Sequence, residues 1–229
     1  ARLSQNRDDH QETLGRAQTA FAAAKGPKWA FDLLFNTQIA LYDWSGALST
    51  LEAGEKRKYI DKDEMRRRRA VLHSAHADAL SRSGAPSEQA LAEALLASEQ
   101  ALSFAPGIAM AARLLYATNQ KKKAAQLIEK AWARAPHPAL ALAYRDLWQG
   151  EPEKTIAKKI NGLAKSNANH RESIILRAEQ ALLTGDGVDA LSRLDALLQD
   201  KHPSARLCSL AAKAETLLGN SVDAGAWHI

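Results

Sequence analysis

The 229 residues are 46% hydrophobic and 6% aromatic, enough to bury a sizeable core in one domain or two. The formal charge of +5 admits acidic partners, nucleic acid or anionic lipid without selecting among them. The single cysteine, Cys208, excludes an internal disulfide framework and a CxxC site, and no apolar run approaches the roughly 20 residues that span a bilayer. Ala, Leu, Glu, Lys, Arg and Gln dominate and β-branched residues are few, so the chain is expected to be all-α.

In chain order, residues 1–26 read as one helix with Leu14, Ala17, Phe21 and Ala24 on a face, closed by Gly26-Pro27. It resembles the second helix of a repeat whose first helix is missing. Trp29 to Leu51 is the next pair. Phe31, Leu34, Phe35 and Ile39 line its first helix, Asp43 to Gly46 form the turn, and Ala47, Leu48 and Leu51 open the second helix. Asp61 or Asp63 is the expected N-cap of the following helix. Arg66 to Arg69 are consecutive, so they spread around that helix at about 100° each and at least one must approach the core. A Ser/Gly/Pro loop is expected over 81–87, followed by a partner helix from Ala90 to Phe104.

The clearest unit runs from Pro106 to Pro138. Ile108, Ala111, Ala112, Leu115 and Tyr116 make one helical face, and Ala124, Leu127, Ile128, Ala131 and Trp132 make the next. Numbered from Ala105, a tetratricopeptide (TPR) unit of about 34 residues places Ala112, Ala124, Ala131 and Pro136 where such units carry small residues and Pro. Leu140–Trp148 with Glu153–Lys165, Ser173–Leu183 with Val188–Leu198, and Ala205–Leu218 with a helix restarting at Asp223 follow as further pairs. The predicted fold is a single TPR-like domain over 1–229, about five hairpins plus a partial first repeat, stacked as a right-handed solenoid with a concave face.

Several strings carry a family resemblance: DEMRRRRAVLHSAHA, SFAPGIAMAARLLYA, the segment from Glu129 to Tyr144 with its APHP, the NxxHxES string from Asn167 to Ser173, and HPSARLCSLAAKAETLLGN. Together they resemble the C-terminal TPR domain of the HemY family, bacterial inner-membrane proteins associated with haem biosynthesis, over about Trp29 to Trp227. Ala168 stands where that family tends to Pro. The resemblance implies two membrane helices upstream and a soluble repeat domain facing the cytoplasm. It also implies no catalysis of its own, and a role in holding haem-pathway enzymes or intermediates at the membrane.

The inner face of a TPR array comes mainly from positions 2, 5, 9 and 12 of each first helix. Here those positions give Asp32 and Asn36, Arg113 and Tyr116, Arg145 and Trp148, Glu179, and Arg206 and Lys213. The candidate partner-binding residues are therefore Asn36, Arg113, Tyr116, Arg145, Trp148, Arg206 and Lys213. They predict a mostly basic groove suited to an acidic peptide or a carboxylate-bearing ligand, with Tyr116 and Trp148 available for stacking or packing. His73 and His76 share a helical face, but no third ligand stands at a metal-binding spacing, so they read as surface residues; His137 and His170 sit at junctions and are expected to cap or pack. Lys56–Lys58, Arg66–Arg69 and Lys121–Lys123 read as solvated basic faces without a nucleic-acid motif. Cys208 reads as a small buried hydrophobe. No nucleophile elbow, P-loop, GxGxxG or HExxH is present, so the expectation is a non-enzymatic protein-interaction scaffold without metal or cofactor. A direct haem or porphyrin carrier and a generic peptide-binding TPR domain are the alternatives.

Overall fold

The computed structural model describes residues 2–23, 26–84 and 87–227, with side chains from residue 9 onward. Thirteen helices and no strand occur among them. The chain divides into two compact units at Leu114/Leu115. The first holds α1 (Arg2–Ala22), α2 (Lys28–Ala40), α3 (Trp44–Lys56), α4 (Lys62–Arg82), α5 (Ser87–Gln100) and most of α6 (Ala105–Ala117). The second holds the end of α6, then α7 (Lys121–Arg134), α8 (Pro138–Leu147), α9 (Glu153–Lys165), α10 (Arg171–Leu183), α11 (Gly187–Leu198), α12 (Ala205–Leu217) and α13 (Ser221–Ala226).

In the first unit each helix from α1 to α4 packs on its successor. Phe21, Phe31, Phe35, Leu51, Met65 and Leu72 form its core. Arg57 caps the end of α1. Its Nη1 donates to the Phe21 carbonyl at 2.7 Å, and its guanidinium lies 4.4 Å from the Phe21 ring centroid. The buried Thr50 hydroxyl donates to Gln38 Oε1 at 2.8 Å and ties α3 to α2. Asp61 is the N-cap of α4, accepting from the Glu64 amide at 2.8 Å. Of the four consecutive arginines, Arg68 turns inward and stands 5.4 Å from the Phe35 ring centroid.

In the second unit Trp132 is fully buried, and its indole N–H donates to the buried Ser173 hydroxyl at 3.0 Å, joining α7 to α10. His137 and His170 are N-caps, each accepting a backbone amide at 3.1 Å through Nδ1. Asp186 and Ser204 cap α11 and α12 in the same way.

One regularity governs how the pairs close. The fourth residue of α3, α5, α7, α11 and α13 is a buried alanine: Ala47, Ala90, Ala124, Ala190 and Ala224. A methyl group is all that a close helix crossing admits. In α9 that place is taken by Ile156, only half-buried. The paired helix α8 carries the bulky Tyr144 at the position where α10 and α12 have Ala178 and Ala212. The α8–α9 connection (148–152) is also longer than those of α10–α11 (184–186) and α12–α13 (218–220). As a result α8 and α9 approach far less closely than α10 and α11.

Some boundaries differ from the sequence reading. The turn expected at 43–46 lies earlier, at 41–43, because the Asp43 side chain accepts from the Gly46 amide at 2.9 Å and starts the helix at Trp44. In that turn Tyr42 has φ 59°, matching Asn119, Gly185 and Gly219 at the same place in the later turns. The helix expected over Ala90–Phe104 spans Ser87–Gln100 instead. Helix α4 continues through Arg82 into the expected loop. Ala24, Ala85 and Pro86 lie outside the described residues. Cys208 is half-buried rather than buried, its Sγ 3.9 Å from the Pro203 carbonyl oxygen.

Replacing Ala190 by Leu should lower the unfolding free energy by about 1–3 kcal/mol through overpacking at the α10–α11 crossing. The exposed Val188→Leu, two residues away, should stay within about 0.5 kcal/mol. Urea unfolding followed by far-UV circular dichroism measures both.

Candidate functional site

The candidate residues divide between the two units. Asn36 and Arg113 belong to the first; Tyr116, Arg145, Trp148, Arg206 and Lys213 belong to the second. In the first unit Asn36 is exposed on α2 and lines a cavity of about 260 Å³ with Asp32, Ile39, Arg67 and Val71. Arg113 and Tyr116 are exposed on α6.

In the second unit the first helices α8, α10 and α12 build one groove of about 490 Å³. Arg145, Glu179 and Lys213 hold equivalent register positions on these three helices and all line it. Below them Leu182, Leu183, Thr216 and Leu217 supply a largely apolar stretch. Leu183 and Leu217 are 58% and 51% exposed, high values for leucines that point into a concavity.

The expected basic character is offset by two carboxylates. Glu179 accepts from Arg206 Nη2 at 2.8 Å and Nε at 3.1 Å, and its other oxygen accepts from Arg145 Nη2. Glu172 accepts from Arg206 Nη1 at 2.8 Å. The two glutamates are nearly buried, at 13% and 16% exposure, and the arginines are one-third exposed. Burial alone would lower the Arg206 pKa. The hydrogen bonds and charge of Glu179, then of Glu172, outweigh it and raise the pKa above the ordinary arginine value. Arg145 and Arg206 are thus parts of a bridge across α8, α10 and α12, while Lys213 stands exposed at the rim without an ion pair. Glu172, Leu183 and Leu217 were absent from the sequence reading. Glu172 occupies a position-2 site in the same register that located Arg206, and the two leucines are one position beyond the last one counted.

Trp148 is not a stacking platform in this groove. It lies edge-on to Tyr144, with ring centroids 5.9 Å apart, and the ammonium groups of Lys121 and Lys159 stand 4.4 and 4.5 Å from its ring centroid. Beside it the buried Tyr144 hydroxyl donates to Glu129 Oε1 at 2.6 Å. Burial first, then the hydrogen bond to Glu129 and its charge, push the Tyr144 pKa above the usual phenol range.

His73 and His76 do share a face, and Glu93 of α5 occupies it: their Nδ1 atoms lie 2.7 and 3.3 Å from Glu93 Oε2, with His76 stacked on Trp44. Among the described residues no group of three or more His, Cys, Asp and Glu side chains could hold a metal ion, and no helix is long and apolar enough to cross a membrane.

No protein-family model matches the chain, and no curated protein matches it. Solved structures do resemble it. A tetratricopeptide repeat protein from Parabacteroides merdae is 14% identical over 97% of this chain and 85% of that chain, with a TM-score of 0.44. PilF of Pseudomonas aeruginosa is 16% identical over 87% of this chain and 88% of that chain, with a TM-score of 0.45. YrrB, a TPR protein with an unusual peptide-binding site, is 21% identical over 77% of this chain and 87% of that chain, with a TM-score of 0.39.

Glu179→Ala should cost about 1–3 kcal/mol of stability, since it strips charge-assisted bonds from two arginines, and a double-mutant cycle with Arg206→Ala should give a coupling of about 0.5–3 kcal/mol. Lys213→Ala should change stability by less than about 0.5 kcal/mol in the same urea titration. For Tyr144, the raised folded-state pKa means that its contribution to stability is present below the unfolded value near 10 and is lost as pH rises beyond it. Tyr144→Phe should therefore leave the phenolate absorbance step around pH 10 unchanged while the protein stays folded.

Proposed function

We propose that this chain is a non-catalytic TPR interaction module that holds an extended segment of a protein partner in the groove of α8, α10 and α12. The observation that carries this reading is the groove itself. The inner positions of three successive first helices converge on one concavity, where exposed leucines lie beside a fixed charge network and an unpaired lysine. Such a surface accepts an apolar side chain into the Leu182–Leu183–Leu217 stretch. It accepts a carboxylate, from an acidic side chain or a chain end, at Lys213. Because Glu172 and Glu179 neutralise the arginines, the partner segment this groove suits is mixed apolar and acidic rather than uniformly acidic.

The finer reading is a HemY-type scaffold that coordinates haem-biosynthesis enzymes or intermediates at a bacterial inner membrane, reached through an upstream anchor and facing the cytoplasm. It is supported by the residue strings, chiefly those from Glu129 to Tyr144 and from Asn167 to Ser173.

A photo-crosslinking residue at Leu183 or Leu217, compared with one at Lys122 in intact bacterial cells that make the protein, tests both levels. Partner proteins captured from the groove positions and weakened by Lys213→Glu are the expected result. Capture equal at Lys122 would overturn the groove. A captured set without haem-pathway enzymes would remove the finer reading and leave the module, and a Soret shift on titrating haem into the purified protein would replace the scaffold by a tetrapyrrole carrier.

A further inference from the structure

The pair that fails to close leaves a second opening in the same unit. Between α7, α8 and α9 lies a cleft of about 770 Å³, which shares no lining residue with the α8–α10–α12 groove. Its size falls in the range of about 300–1,000 Å³ found for small-molecule sites. In this pair Ile156 and Tyr144 stand where the α10–α11 and α12–α13 pairs have alanines, and Gly162 puts no side chain into the cleft. A Cβ on Gly162 would meet nothing within 4 Å.

The chemistry of the cleft is one-sided. Lys154, Lys158 and Lys159 line it from successive turns of α9, and none of the three forms an ion pair among the described residues. Lys154 and Lys158 are neighbours at i, i+4, an arrangement that is unfavourable for like charges. The first turn of α9 adds the positive end of its dipole. Glu129 is the one carboxylate in the lining, and its Oε1 is occupied by the Tyr144 hydroxyl at 2.6 Å. Tyr144, Thr155, Leu163 and Ser166 complete the lining with Gly162.

We propose that this cleft binds a small organic phosphate. The lysines supply the charge that two or more phosphate oxygens require, Thr155 adds a hydrogen-bond donor, and the Leu163–Tyr144 wall receives the organic part. Lys159 lies both in the cleft and at the Trp148 ring, so a bound anion exchanges a cation–π contact for an ion pair and alters the surroundings of that indole.

The test uses the whole chain and mant-ADP as the organic phosphate probe, read by fluorescence anisotropy at near-physiological salt, with inorganic pyrophosphate as competitor. The expected result is saturable binding that pyrophosphate displaces and that K154Q/K158Q weakens by about tenfold or more. Gly162→Leu, which fills the cleft without touching charge, should weaken mant-ADP similarly, whereas K122Q/K123Q, removing the same charge outside the cleft, should stay within about twofold. Far-UV circular dichroism confirms that each variant is folded. Equal loss in K122Q/K123Q, or no saturable binding by the wild type, would overturn the proposal. So would binding to phosphatidylglycerol vesicles that depends on Lys154 and Lys158 in a protein that ignores mant-ADP, since that would mark a lipid-headgroup surface instead.

Discussion

The close crossing of paired helices at a single buried alanine is the constraint on which the second unit depends. Where Ala190 and Ala224 occupy the fourth helical position, the partner helices approach until only a methyl group separates them. That spacing aligns the first helices as a wall and sets the width of the groove they line. The constraint is steric and local, so it can be relaxed at one pair without disturbing the next. The α8–α9 pair does this. Ile156 replaces its alanine and the α8–α9 connection is longer, yet α9 still packs on α10, and Trp132 still reaches Ser173 across the repeat.

Two surfaces of different chemistry result within one unit. The groove of α8, α10 and α12 is electrostatically settled: Glu172 and Glu179 bind Arg145 and Arg206 into a bridge, and the exposed leucines are what remains to be covered. The cleft of α7, α8 and α9 is the opposite, with its carboxylate engaged by Tyr144 and its lysines unpaired. A groove whose charges are satisfied favours shape and apolar contact, while a cleft with unsatisfied cations favours a compact anion. The first unit has a smaller inner cavity at Asn36, where Asp32 and Glu64 already meet Lys28 and Arg68.

Much of this was legible in the residues. The apolar period and the recurrent alanines predicted the helices, because both reflect contacts that every repeat makes in the same way. The capping of α4 was legible to within two residues, at Asp61 or Asp63, and His137 and His170 were legible as residues that cap or pack, since a cap bonds to the backbone a few residues on. The turn at 41–43 was misplaced because Asp43 and Ser45 both suit a helix start, and the choice rests on which side chain reaches the Gly46 amide.

The candidate groove was legible as a set of positions but not as a charge state. The register located Arg145, Glu179, Arg206 and Lys213, because position within a helix decides which face a side chain takes. Whether an arginine is offered to a partner or consumed by a neighbour depends on a carboxylate from another helix, and Glu179 is 34 residues from Arg145 and 27 from Arg206. The same holds for Trp148, whose ring is claimed by lysines of α7 and α9. By itself the sequence determined the helices, their order and the face each residue occupies, since these follow from local periodicity. Tertiary structure decided which charges cancel, which aromatic is covered and where one pair stands open, because each outcome depends on distances between helices that no single segment encodes.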